Sequence, residues 1–164
     1  LVDEITKTIH DATQDNPLFF AFLGADALKN PPPLGFFRQF LVENDGEHKD
    51  TFDLKARALM PLIDAARIIS LSKGIKNVSN TISRYVKLAE LEPQNAAVYT
   101  ACAAAFSELL KFRTEEGLKS YSKGRYLNLS ELSKLDKVKL KNDFQPINDI
   151  QEVIKNRFQL TYFT

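Results

Sequence analysis

The chain has 164 residues, enough for one domain that buries roughly 70% of the surface its unfolded form exposes. Apolar residues make up 44% and charged residues 26%, a balance that excludes a disordered chain, a collagen or a disulfide scaffold. The net charge of +1 lacks the basic excess of an electrostatically driven nucleic-acid binder.

That charge is unevenly spread: residues 1–108 carry 11 basic and 14 acidic side chains, and residues 109–164 carry 11 and 7. The basic third reads as a solvated helix face, because Lys137, Lys139 and Lys141 alternate with apolar residues. A weak anion-facing surface is the other reading. Cys102, the single cysteine, sits among alanines and reads as a buried small hydrophobe. The longest near-apolar run, Ala96 to Phe106, is too short to cross a bilayer. Together with the lone thiol this places the expectation in a reducing cytoplasm. Met60 is the only methionine and Leu1-Val2-Asp3-Glu4-Ile5 has no targeting character. The chain therefore reads as a piece of something longer.

Val2, Ile5 and Ile9 have helical spacing, and Asn16-Pro17 ends that helix. A second short helix, Leu18 to Leu28, is dense in Phe and Leu, and Asn30-Pro31-Pro32-Pro33-Leu34-Gly35 follows as a stiff extended linker. Phe36 to Glu43 is aromatic and β-branched, Asn44-Asp45-Gly46 signals a turn, and Thr51 to Ala56 alternates. These residues predict a β-hairpin near 36–57. A lone hairpin is marginal in water, so it must pack on the helices or extend a neighbouring sheet.

From Pro61 the pattern is helical. One helix stops at Gly74, a second spans about Ser79 to Glu90, and a third, Ala-rich at its front, runs from about Gln94 to Lys119. A loop over Tyr121 to Leu129 precedes a last helix, which opens on Ser133 with Asp136 three residues on and is kinked by Pro146. The fold class is mainly α with one hairpin. Residues 1–30 form N-terminal helices that link from an upstream domain, and residues 31–164 form the helical domain.

No phosphate loop, metal-ligand spacing or nucleophile elbow is present. His10 and His48 read as isolated surface histidines. Asp50 and Asp53, near the start of a strand, point to opposite faces and do not share a metal. Three arginines stand out. Arg67 follows Asp64 by one turn, Arg84 lies on the Thr81–Leu88 side of its helix, and Arg113 follows Phe106 and Leu110 on a partly apolar stripe. A guanidinium on an apolar face needs a partner. Either Asp64 pairs with Arg67 and Glu108 or Glu116 serves the others internally, or a polar cleft between helices grips a phosphate or carboxylate.

The run Phe52-Asp53-Leu54-Lys55, four residues, then Met60-Pro61-Leu62-Ile63-Asp64-Ala65-Ala66-Arg67-Ile68-Ile69-Ser70-Leu71 resembles a signature D-L-K-x-x-G-x-x-P-I-x-D-x-A-R-x-x-A-L. Asn80-Thr81 with Arg84 resembles an N-T-x-x-R-L element. Phe112-Arg113 and the closing Leu129, Leu132 and Leu140-Lys141 are similar to further elements in order. They belong to the putative nucleotidyltransferase substrate-binding domain, and the resemblance runs from about Pro31 to Phe163. It implies a four-helix up-and-down bundle like the one that follows the catalytic domain in kanamycin nucleotidyltransferase. It also implies a place in a bacterial signalling protein, behind a nucleotidyltransferase-like domain often preceded by a cyclic-nucleotide-binding-like module and a CBS pair.

That upstream domain would carry a Gly-Ser pair and a D-x-D for metal ions. Neither motif occurs in this chain, so nucleotide and Mg belong upstream. The implied role is accessory: Lys55, Asp64, Arg67, Thr81, Arg84 and Arg113 would serve an acidic or phosphate-bearing substrate, with the four basic groups converging in one cleft. The competing expectation is an interaction or dimerisation module without a ligand site. It rests on the apolar second helix (Leu18, Phe19, Phe20, Phe22, Leu23) and the hairpin.

Overall fold

A computed structural model describes residues 2–13 and 16–160. Seven helices appear among them: α1 (Val2–Thr13), α2 (Pro17–Ala27), α3 (Met60–Ser72), α4 (Thr81–Leu91), α5 (Ala96–Lys119), α6 (Lys134–Asp143) and α7 (Gln145–Arg157). Two short strands, β1 (Thr51–Asp53) and β2 (Tyr126–Asn128), complete the regular structure. The class is the expected one, mainly helical with a small antiparallel pair.

The core is a four-helix bundle. α3 packs on α4, α4 on α5, α5 on α7 and α7 back on α3, which closes the ring, while α2 lies against α3 and α7. Leu62, Ile69, Tyr85, Leu88, Tyr99, Leu109, Ile147 and Ile150 fill the centre with no exposed surface. Cys102 and Ala105 keep the α5 surface low where helices meet. Gly24 lets α2 settle against α7 and the turn after it: a Cβ there would stand 2.9 Å from the Phe158 ring and 3.1 Å from Leu160.

Helix ends follow their sequence signals. Asn16 and Asn80 each accept a bond from the N–H three residues on, at 3.0 and 2.8 Å, and cap α2 and α4. α3 closes on a Schellman turn: Ile75 N–H donates to Ser70 O at 2.9 Å and Gly74 N–H to Leu71 O at 3.0 Å, with Gly74 at φ +67°. At its other end α3 is preceded by a π-helical turn, Lys55–Leu59, in which Met60 N–H donates to Lys55 O. Pro61 explains it. Its ring has no N–H for the Arg57 carbonyl and crowds it, so the turn before opens to the wider spacing. Pro146 acts likewise on the last helical stretch, which breaks at Phe144 into α6 and α7 with the proline inside the first turn of α7.

The strand pairing differs from the local hairpin in one respect. β1 takes β2 as its ladder partner, with Thr51 opposite Asn128, Phe52 opposite Leu127 and Asp53 opposite Tyr126. Residues 36–57 still fold back on themselves: Leu34 bridges Phe40, and Glu43 exchanges bonds with Asp50 and Thr51 at 2.9 Å each. Phe40 meets Phe52 and Phe144 edge-on through its ring rather than through a ladder. The long-range register is fixed by Asp53, buried at the end of β1, which takes a bidentate contact from Arg125 at 2.7 and 3.1 Å.

His10 corrects the expectation of a surface histidine. It is 7% exposed, packed from α1 against Gly74, where the absent side chain makes the room: a Cβ would lie 2.4 Å from its Nε2. His48 is half-buried and stacks on Tyr126, ring centroids 3.5 Å apart. Cys102 is fully buried, and burial pushes its thiol up to about 12. No helix among the described residues is long and apolar enough to cross a membrane.

Candidate functional site

Two adjoining grooves, one on each side of the later half of α3, share Arg67 and Leu71. One, of about 230 Å³, lies between α2 and α3 and is lined by Leu23, Asp26, Ala27, Asp64, Arg67, Ile68 and Leu71. The other, of about 480 Å³, lies between α3 and α4, with Arg67, Ser70, Leu71, Ile75, Asn77, Val78, Ser79 and Arg84 around it. The first has two carboxylates beside an apolar wall. The second has two guanidiniums, hydroxyls and an amide, and no carboxylate.

The α3 and α4 helices place these groups. Residues 64, 67, 68 and 71 share a face of α3 by the i, i+3, i+4 rule. Asp64 is held by Asn30 at the end of α2, whose Nδ2 donates to Asp64 Oδ2 at 3.1 Å and to Ala27 O at 2.9 Å. The contact from Arg67 to Asp64 is long, 3.9 Å, and the Arg67 side chain is mostly exposed, so this ion pair holds it only weakly. Arg84 makes no ion pair among the described residues. Burial, and then the nearby Arg67 charge, hold its guanidinium below the ordinary value. Two cations thus face one groove without a carboxylate between them.

The other predicted residues sit elsewhere. Thr81 is the buried first residue of α4, behind the Asn80 cap, and lines neither groove. Lys55 is exposed in the π turn, roughly 18 Å from Arg67 along the helix axis at 1.5 Å per residue. Arg113 belongs to a third groove, with Thr114, Gly117, Ser122 and Lys123, and its Nε donates to Lys123 O at 3.1 Å. The four basic groups therefore do not converge: Arg67 and Arg84 meet, while Lys55 and Arg113 stand apart. Internal pairing is met in part: Arg67 reaches Asp64 at 3.9 Å, whereas Glu108 pairs with Lys139 and Glu116 with Lys119, so neither serves Arg84 or Arg113.

The sequence assigns Ser70 no role. Ser70 is 3% exposed, lines the α3–α4 groove, and its Oγ has no hydrogen-bond partner. The signal was available: a hydroxyl within Ile68-Ile69-Ser70-Leu71, on a stripe that is otherwise apolar. A second missed group lies at the other end of α4. Glu92, at the end of α4, accepts bonds from Lys73 Nζ at 2.6 Å, from Arg157 and from the Tyr99 hydroxyl. Burial alone would raise its carboxyl, but the three donors outweigh it and hold the value at about 2.

The family model described as "Putative nucleotidyltransferase substrate binding domain" matches residues 17–158. No curated protein and no solved structure shows a significant match. The matched span begins with α2, includes the four bundle helices and contains both grooves at Arg67. Its role is non-catalytic: it binds substrate for a nucleotidyltransferase. A match over most of the length settles membership, and the chain belongs to the nucleotidyltransferase substrate-binding domain family.

Proposed function

We propose that this domain holds an acidic group of the substrate between α3 and α4, through Arg67 and Arg84, beside a nucleotidyltransferase-like domain of the same parent chain. Asp64 and Asp26, across Arg67, meet the polar hydrogens of the rest of that substrate. Nucleotide and Mg act on the catalytic domain, where a metal pair stabilises the developing charge. α1 and α2 lead toward that domain. The observation that carries the reading is Arg84: a half-buried cation beside a second cation, with no carboxylate facing it. Such a pair is repulsive until an anion enters, and a guanidinium fork suits carboxylate and phosphate. Chemical-shift mapping of the 164-residue chain with succinate as probe tests it. Shifts should cluster at 67–84 and vanish in Arg84→Gln. Shifts scattered elsewhere, or unchanged in that variant, refute the reading.

A second reading has its own observation. Phe36 and Phe37 are 92% and 84% exposed and pack edge-on against each other at the tip of the 34–40 loop. That is the posture of a docking finger for the catalytic domain or a second copy. A solution mass of one chain, unchanged by Phe37→Ser, excludes the dimer.

A further inference from the structure

We propose that the α3–α4 groove is a phosphate subsite, in which Ser70 is a ligand-binding residue alongside Arg67 and Arg84. This inference rests on the substrate-groove reading above and narrows its acidic group to a tetrahedral phosphoryl oxyanion. Three observations carry it.

The first is the hydroxyl. Ser70 is 97% buried by its 3% exposure, and its Oγ has no partner. Inside a helix a serine hydroxyl can bond back to the carbonyl four residues before; Ser70, in the last turn of α3, makes no such bond. An unmade bond on a buried hydroxyl is costly, and Ser70 is one of the residues that line the groove.

The second is the number and origin of the donors. Arg67 and Ser70 come from α3, and Arg84 from α4. A carboxylate's acceptor sites lie in one plane, and one guanidinium fork takes an edge of that plane. Donors arriving from two helices, with a buried hydroxyl among them, suit an acceptor whose oxygens point in several directions. A phosphoryl group supplies three.

The third is the local field. The groove is flanked by Ser79 and Arg84, on either side of the start of α4, an 11-residue helix whose N-terminal end favours negative charge. The opposing carbonyls at the end of α3 are already taken by the Gly74 and Ile75 N–H groups of the Schellman turn. Their negative potential is blunted on the side the groove faces.

Calorimetric titration of the 164-residue chain with inorganic phosphate, AMP and succinate tests the assignment. Phosphate or AMP should bind at least about tenfold tighter than succinate, the scale of one charge-assisted bond. Ser70→Ala should weaken the phosphoryl probes by about tenfold and leave succinate unchanged. Because that change removes an unsatisfied hydroxyl from an apolar stripe, its melting temperature should not fall, so a loss of binding is not a loss of fold. AMP tighter than inorganic phosphate identifies a nucleotide as the source, and the reverse order a free phosphate; either supports the subsite. Equal affinity for succinate, with Ser70→Ala neutral, overturns the phosphate assignment and leaves the groove as an acid site. No binding of any probe, with Arg84→Gln indistinguishable from the parent, overturns both.

Discussion

Glu92→Gln should be the most damaging conservative change in this chain. Glu92 is 4% exposed and ties four elements together: it ends α4, and it accepts from Lys73 beyond α3, Tyr99 of α5 and Arg157 at the end of α7. Its carboxyl lies at about 2 against an ordinary 4.5, a gap that corresponds to about 3 kcal/mol of folding free energy. Removing one partner of a buried pair costs about 3–5 kcal/mol on independent grounds, so the two routes agree. Against a total of about 5–15 kcal/mol for a domain, the variant gives up a fifth or more. The sign with pH follows from the depressed value. The stabilisation is complete well above 4.5, fades as pH falls through that value, and is gone below about 2. Urea unfolding followed by circular dichroism, at several values between about pH 7 and pH 2.5, reads it. The difference between parent and variant isolates Glu92, since the remaining carboxylates titrate in both. A difference below about 1 kcal/mol at neutral pH, or one that stays constant as pH falls, refutes the argument.

Two further outcomes follow from burial and backbone geometry. Gly124→Ala should cost more than about 2 kcal/mol in thermal unfolding, because its φ is +59° and a Cβ would lie 1.9 Å from the Arg113 carbonyl oxygen; a loss under about 1 kcal/mol contradicts this. Cys102, buried and pushed up to about 12, should react with a thiol reagent at pH about 8 orders of magnitude more slowly in the folded chain than in urea. Prompt stoichiometric labelling of the native chain would show that α5 opens on its own.

Much of the fold is written in local chemistry. Asn16, Asn80 and Ser133 announce helix starts through their own side chains, and Gly74 announces a stop, so these boundaries are legible to within two residues. The partner of β1 is not local. It depends on Asp53 finding Arg125, 72 residues away, and no periodicity in either segment encodes that distance. His10 is misread for the same reason: its burial is decided by a missing side chain at Gly74, on another element. The site is half legible. Arg67 and Arg84 stand out as cations on apolar faces. Their meeting follows from the packing of α3 on α4, and Lys55 and Arg113 stand on other elements, the π turn and α5. Ser70 hides because a single hydroxyl barely alters a hydrophobic stripe.

The bundle also explains why the two arginines stay together despite their like charge. Arg84 precedes Tyr85, whose ring is fully buried and whose hydroxyl donates to Leu62 O of α3 at 2.7 Å. Moving Arg84 off the groove by rotating α4 would tear that bond and leave a phenol unsatisfied in the core. At the far end of the same helix, Glu92 holds Lys73, the residue that leads out of α3. α4 is therefore pinned to α3 near its middle and at its end, which opposes relaxing the repulsion between Arg67 and Arg84 by helix movement. A site whose charges are held in an unfavourable arrangement by the fold has already met the cost of orienting them. On the proposed reading, what remains on binding is the gain from an anion entering between them.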